Sequence, residues 1–384
     1  MKYRHSPDGS LRFSEMGLGT YALAGVYGRK DPGQFKRVVG RALDLGVTFF
    51  DAARTYGHAE AVLGKALAGF RPQVVISTKV AASLEEGFCC SYDAVVRSCD
   101  QSLKNLQTDF IDLYQIHFDD GVTPPAEVIR AMEHLKAAGK IRAYGIGHIS
   151  YERAEDYLRQ GSVATLMGEL SAAAPRYHRK MLPLARGHGA GYIGFSLTGR
   201  GILTGALEGR VGLEPDDLRN MDALFTGERL KSALRIRDGF ARLGRQAGAT
   251  PAQVAIRWAL SQDAVVTGLV GPSTVAHLEE DVKAVDLAMP DEVQREVNRL
   301  VTSEEERLRA TLRAEIAAIL GQPVTGPEQV PRLVYALEGL ADLELAPEAD
   351  LIGHFKTVIS VMQGAADAFC LDRMRGSLTK YLET

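Results

Sequence analysis

From about residue 14 the chain alternates between short apolar runs and segments whose apolar residues recur every three or four positions. The runs predict strands at 16–20, 47–51, 74–79, 111–117, 141–147, 163–170, 191–196 and 265–270. They are apolar at nearly every position rather than at alternate ones, as expected of strands covered on both faces. Between them, 34–45, 92–106, 125–138 and 151–159 carry the period of helices with one buried face. A further helix at 251–261 precedes the last strand, with Thr250 as N-cap and Pro251, whose fixed φ suits a first turn, at its start. Strands alternating with helices in this way predict an α/β fold, an eight-stranded parallel (β/α) TIM-type barrel. A doubly wound open sheet is the competing architecture. It wants a G-x-G-x-x-G turn after the first strand, and "GLGTYALAG" does not supply one in that register.

Ahead of the barrel, "KYRHSPDGSLRF" sets a Pro-Asp-Gly turn between two short runs, which predicts an N-terminal hairpin capping the barrel bottom. Past about residue 300 the pattern changes. "SEEERLRATLRAEIAAIL" is a charged amphipathic helix, "QPVTGPEQVP" is a Pro/Gly linker, and helical segments continue to Thr384. The expected division is therefore a barrel at 1–300 and a C-terminal helical extension at 301–384, serving as a lid or an interface. Its apolar stretches "LVYALEGLADL" and "FKTVISVM" need a surface to cover them. The barrel or a second subunit is the expected surface, so a homo-oligomer through these helices is one expectation.

Composition narrows the function classes. Apolar residues make up 46 % of the chain, and the net charge of −3 gives no reason to expect nucleic acid or an anionic membrane as partner. The opening MKYRHSPDGS lacks the apolar core of a signal peptide. No apolar run approaches the roughly 20 residues of a membrane helix. Cys89, Cys90, Cys99 and Cys370 match no zinc spacing, and the adjacent pair is poorly placed to bridge. A reducing cytoplasm fits this usage. His148, His178 and His188 fall on different predicted elements without ligand spacing, so no metal is expected.

Four residues carry candidate chemistry. Asp51 closes "GVTFFD", Tyr56 follows five residues later, Lys79 closes "VVISTK" and His117 closes "FIDLYQIH". In a parallel barrel the strand C-termini share one face, and that face holds the chemistry. A free phenol, with a pKa near 10, is a reluctant proton donor. A buried ammonium beside it favours the phenolate and lowers that value. Hence Tyr56 is the expected acid, Lys79 its tuner and Asp51 the support that keeps Lys79 charged. His117 is expected to orient a carbonyl oxygen by hydrogen bonding. Asp119 and Asp120, in "FDDGVTPP", follow His117 onto the same face.

At these residues the chain resembles the aldo-keto reductase superfamily. The resemblance runs over about 2–300, through "LRFSEMGLGT", "GVTFFDAARTYGHAEAVLGKAL", "VVISTK", "SLKNLQTDFIDLYQIH", "GKIRAYGIG", "GRGILTG", "TPAQVAIRWAL" and "LEEDVKAVDL". It implies a nicotinamide cofactor, NADPH or NADH, and reduction of a small-molecule carbonyl substrate. The family's catalytic tetrad falls on Asp51, Tyr56, Lys79 and His117 without substitution.

The implied cofactor positions depart from the family pattern. Gly19 and Thr20 close the first strand. The polar pair that holds the nicotinamide carboxamide reads Gly147-His148. The Gln position reads as Gly168, with Glu169 in that role if the alignment moves by one. The Tyr-Asn that usually follows is Ser171-Ala172, with Arg176 retained. Phe195 stands where an aromatic ring stacks on the nicotinamide, followed by Ser196 and Leu197. Gly199 and Gly201, in "GRGILTG", are implied to approach a pyrophosphate. In "GPSTVAHLEED", Ser273 and Thr274 cap a helix start that favours anions, and Glu280 and Asp281 sit on the adenine side. Ser273 and His277 occupy the places of the basic residues that clasp a 2′-phosphate, and the missing guanidinium weakens the case for NADPH.

Three functions follow. One is an oxidoreductase that transfers hydride to a carbonyl with Tyr56 as proton donor. The second is a redox-neutral lyase, dehydratase, isomerase or cyclase using Tyr56, Lys79 and His117 without NAD(P)H. The third is a non-catalytic binding subunit, against which the complete tetrad speaks. An altered pocket joined to an added segment suggests specialised metabolism.

Overall fold

A computed structural model describes residues 1–24, 31–80, 89–174, 176–207, 213–214, 217–347, 351, 354, 357–358 and 369–382. The strands are β1 (Tyr3–His5), β2 (Arg12–Ser14), β3 (Met16–Gly19), β4 (Phe49–Asp51), β5 (Val75–Val80), β6 (Ile111–Ile116), β7 (Ile141–Gly147), β8 (Val163–Glu169), β9 (Gly191–Phe195) and β10 (Val265–Val270). β3 to β10 form a closed barrel in the order β10-β3-β4-β5-β6-β7-β8-β9, every neighbouring pair parallel. This is the architecture the alternating pattern predicts. β6, β8 and β10 are buried at every residue, which is why apolar side chains predominate in them without strict alternation.

β1 and β2 form the antiparallel hairpin, with Tyr3 opposite Ser14 and His5 opposite Arg12. Asp8 accepts from the Ser10 backbone N–H at 3.1 Å, and Gly9 supplies the positive φ of 74° that the turn requires. Leu11 and Phe13 join the barrel core with Phe49, Leu113, Ala143 and Ile193. The Phe13 and Phe49 rings meet edge to face at 5.0 Å. The hairpin therefore contributes apolar side chains to the barrel filling.

The helices of the barrel unit begin with α1 (Pro32–Asp44), α2 (Ala59–Leu67), α3 (Tyr92–Leu106), α4 (Pro125–Ala137), α5 (Tyr151–Gln160) and α6 (Arg176–Gly187). Asp31 caps α1 by accepting from the Gly33 and Gln34 N–H groups, and Ser150 caps α5 through Arg153. The sequence positions α7 (Gly227–Gln246) before α8 (Pro251–Leu260) and α9 (Val275–Lys283), the last two flanking β10.

The chain divides into two compact units. One comprises Met1–Ser171, Tyr177–Thr198 and Ala252–Met289 and holds the barrel. The other gathers Ala172–Arg176, Gly199–Pro251 and Pro290–Thr384, and includes α7, α10 (Asp291–Leu320) and α11 (Val330–Asp342). α10 runs unbroken through residue 300, where the sequence pattern suggested a boundary. Its buried residues, among them Val297, Val301, Leu308, Leu312 and Ile316, recur every three or four positions and form one stripe.

The lower part of that stripe shares a core with Leu333, Ala336, Leu337 and Leu340 of α11 and with Leu371 and Leu378 of the helix Phe369–Thr379. The stretch "LVYALEGLADL" is thus covered at least in part by helices of its own unit. Of "FKTVISVM", Thr357 and Val358 are described, and Val358 lies in this core; its other residues fall outside the described set. Two ion pairs lie within the unit: Arg229 meets Asp342 at 2.5 Å, and Glu304 accepts from Arg235 at 2.7 Å. Among the described residues, no helix is long and apolar enough to cross a membrane.

Candidate active site

The four candidate residues are assembled by adjacent strand ends. β4 ends on Asp51, which pairs in register with Ser77 of β5, and Lys79 pairs with Gln115 of β6. His117 follows the last residue of β6, and Tyr56 lies in the turn between β4 and α2. Lys79 Nζ donates to Asp51 Oδ2 at 2.6 Å and to the Ala52 carbonyl at 2.8 Å. The same nitrogen stands 5.0 Å from the centre of the Tyr56 ring. The Tyr56 hydroxyl is 3.3 Å from His117 Nε2, and the Thr55 hydroxyl is 3.4 Å from Nδ1. All four candidate side chains are buried, and the structure brings them together.

Burial sets the electrostatics. It pushes the Asp51 carboxyl up and the Lys79 ammonium down, while each charge opposes the shift of the other. His117 is held well below the ordinary imidazole value, first by burial, then by the Lys79 charge and by His148. A neutral imidazole has one donor and one acceptor nitrogen, which suits it to orient an oxygen rather than to carry charge.

An aromatic rim surrounds this centre. His148 follows β7 at φ 42°, and its ring stacks on Phe118 at 4.6 Å, with Phe195 at 5.4 Å and His117 at 5.7 Å. Tyr21 packs edge-on against Tyr56 at 4.9 Å. Ser196, just past β9, also has a positive φ, 56°. Two non-glycine residues in the left-handed region at strand ends mark a backbone held by its surroundings. Phe118 and Tyr21 were not among the expected site residues, although Phe118 is the direct neighbour of His117 in the chain.

β8 separates the two positions offered for the family's Gln. Met167 joins the barrel core, and strand alternation sends Glu169 to the same side and Gly168 to the other. A Cβ on Gly168 would collide with the Tyr192 hydroxyl. That hydroxyl donates to the Glu169 carbonyl at 3.4 Å. Of the two, Glu169 is the one that shares the side of Met167, and its side chain is buried.

The remaining expected positions separate. The Thr20 backbone N–H donates to the Asp51 carbonyl at 3.0 Å, and its buried hydroxyl has no partner among the described residues. Gly19, Leu23, Asp31, Phe35, Ser273 and Thr274 line a cavity of about 210 Å³. Thr274 caps α9 by accepting from the His277 N–H at 3.1 Å, and Ser273 Oγ lies 3.4 Å from His277 Nδ1. The Glu280 carbonyl accepts from Gln253 at 3.0 Å. Burial and the neighbouring Glu280 push the Asp281 carboxyl up to about 7.

Leu197 is buried around Gly268 with Leu260, a packing position. Gly199 and Gly201 belong to the other unit, where their φ values of 58° and 95° and the bonds Ile202 N–H to Gly199 O and Thr204 N–H to Gly201 O build a tight turn.

Asp119 and Asp120 are occupied by the fold. Asp119 accepts two bonds from Arg153, at 2.7 and 2.8 Å, and one from Tyr157. Asp120 accepts from the Cys90, Val122 and Thr123 N–H groups and from the Thr123 hydroxyl. They shape the loop after His117. The side chains of Arg176 and His178 lie outside the described residues. Among the described residues, no three His, Cys, Asp or Glu side chains group as a metal site.

A model of the Aldo/keto reductase family matches residues 15–302. The aldo-keto reductase YhdN of Bacillus subtilis is 30 % identical over 310 residues, covering 78 % of this chain and 94 % of that protein. The L-glyceraldehyde 3-phosphate reductase of Escherichia coli K12 is 29 % identical, covering 74 % of this chain and 88 % of its own length. Among solved structures, a glycerol dehydrogenase from Gluconobacter oxydans superposes with a TM-score of 0.71 at 27 % identity, covering 79 % of this chain and 95 % of that one. A holo-form aldo-keto reductase from Bacillus halodurans gives 0.63 at 26 % identity, covering 78 % and 96 %.

Proposed function

The chain belongs to the aldo/keto reductase family, and from that membership and the site we propose that it reduces a small carbonyl compound with a nicotinamide cofactor, Tyr56 giving the proton. The observation that carries this reading is the Tyr56 hydroxyl 3.3 Å from His117 Nε2, beside a Lys79 held by Asp51. His117, kept neutral, orients the substrate oxygen toward Tyr56. Lys79 stabilises the phenolate that remains after proton transfer, and Asp51 keeps Lys79 charged in a dry site.

The residues present suit a nicotinamide dinucleotide. Thr20 offers a buried hydroxyl without a partner among the described residues, Phe195 a ring face, and Glu169 an inward carboxylate able to accept from a carboxamide NH₂. Ser273, Thr274 and the α9 N-terminus suit the polar end of the cofactor. When bound, the nicotinamide supplies a hydride to the carbonyl carbon. With Ser273 and His277 at the start of α9 and Glu280 and Asp281 in its last turn, the composition favours NADH over NADPH.

Glu169 also supports a second reading. A carboxylate cannot donate to the carboxamide oxygen, and Gly147 offers no side chain. Redox-neutral acid/base chemistry by Tyr56, Lys79 and His117 is the alternative. Calorimetric titration with NADH and with NADPH, followed by cofactor oxidation against a panel of aldehydes and ketones, separates the two. Micromolar binding and Tyr56-dependent oxidation support the reductase. Failure of the folded protein to bind either cofactor removes it.

A further inference from the structure

Asp51 answers the charge of Lys79 directly, yet a second carboxylate is buried behind the same strand. Glu60 of α2 is 2 % exposed. Its Oε1 accepts from the Thr78 hydroxyl at 2.6 Å, and its Oε2 from the Asn105 amide at 2.8 Å. Both donors are neutral, and among the described residues no cation pairs with Glu60. A carboxylate enclosed without a cationic partner is costly unless some charge nearby compensates it.

β5 supplies that charge. Thr78 and Lys79 are consecutive, and side chains alternate along a strand. Thr78 faces α2 and holds Glu60, while Lys79 faces Asp51 inside the barrel. The two charges therefore oppose each other across one strand. Two titratable groups that face Glu60 add no charge of their own. Cys99 of α3 and Tyr114 of β6 are both buried, and burial raises both, Cys99 to about 12, so they stay neutral. Arg54 donates to Ser98 of α3 at 3.2 Å. Lys79 does feel the negative charge of Glu60, in the direction that favours its protonated form.

We propose that Glu60 is a positioning residue whose buried carboxylate, set behind β5, holds Lys79 as the ammonium that keeps Tyr56 a competent acid. The inference rests on the reading of Tyr56 as proton donor. It extends the tetrad by one residue that touches neither substrate nor cofactor.

Glu60→Gln keeps the shape and removes the charge. The direct readout is the side-chain NMR titration of Lys79 in protein labelled at lysine Cε, its signal identified by loss in Lys79→Met. Deleting a nearby negative charge makes Lys79 easier to deprotonate, so its midpoint moves to lower pH. The alkaline limb of turnover moves down with it. Thr78→Val removes a hydrogen bond but not the charge; it lowers thermal stability and leaves the midpoint in place. Glu60→Asp restores the midpoint toward the wild-type value. Should Glu60→Gln not fold, Asn105→Lys neutralises the carboxylate from half-buried α3 and moves the midpoint the same way. An unmoved Lys79 midpoint in a folded, charge-neutralised variant overturns the proposal. The titration needs neither cofactor nor substrate, so a protein that shows the shift but oxidises no NAD(P)H contradicts the reductase reading alone.

Discussion

The Lys79 ammonium and the Asp51 carboxylate lie 2.6 Å apart, with both side chains almost wholly shielded from water. Removing one partner strands the other charge in a dry site, whereas removing both does not. Lys79→Met is expected to lower stability by about 3–5 kcal/mol, and Asp51→Asn combined with Lys79→Met to recover most of it. Turnover is expected to fall at least about 100-fold in both variants, because the tuned acid is lost. Urea unfolding and initial rates check this together. A double variant as unstable as the single one would show that the charges do not depend on each other.

In the proposed cofactor pocket, Glu169 would present an acceptor where a nicotinamide carboxamide needs a donor as well. Glu169→Gln supplies both. A hydrogen bond gained is worth about 1 kcal/mol, so the dissociation constant for the preferred cofactor is expected to drop roughly five-fold. Calorimetry on the two proteins measures it. Weaker binding in the Gln variant would mean that Glu169 does not face the carboxamide.

Gly168 has its side-chain direction filled by Tyr192. Gly168→Ala is expected to destabilise the barrel by about 1–3 kcal/mol, the usual range for overpacking. Tyr192→Phe removes the colliding oxygen and should return part of that loss. Thermal denaturation of the two single variants and the double variant tests the pairing, and additive losses would contradict it.

The Asp281 carboxyl is raised to about 7, whereas an unfolded aspartate titrates near 3.9. Between those values the folded protein binds more protons than the unfolded chain. Stability therefore falls as pH rises from about 4 to about 7 and then levels, so far as this group contributes. Asp281→Asn should be the more stable protein above pH 7 and converge with wild type near pH 4. Melting temperatures across that range decide it, and parallel curves would remove the assignment.

Much of the barrel was legible because parallel strands are covered on both sides. β7 and β10 match the expected spans, and the run predicted at 47–51 shortens to Phe49–Asp51. Asp51, Lys79 and His117 stood out because each closes an apolar run. The orientation of Gly168 and Glu169 was not legible, since it depends on strand phase after the register shift between Tyr144 and Gly145. That the fold itself holds Asp119 and Asp120 was not legible, because their partners, Arg153 and the Cys90 N–H, are distant in sequence. The helical unit draws on Gly199–Pro251 as well as the C-terminal region, and no local pattern announces such a grouping.

β10 bonds to β9 on one side and to β3 on the other, and it is the last strand to be made. β3 begins at Met16 and β10 only at Val265. A nascent chain therefore carries two open sheet edges, on β3 and β9, through synthesis of all of Gly199–Pro251. Open edges invite pairing with other chains, and long-range closure is slow. The native barrel has no edge to protect, so the aggregation hazard is confined to the interval before β10 emerges. Truncation anywhere ahead of Val265 makes that interval permanent.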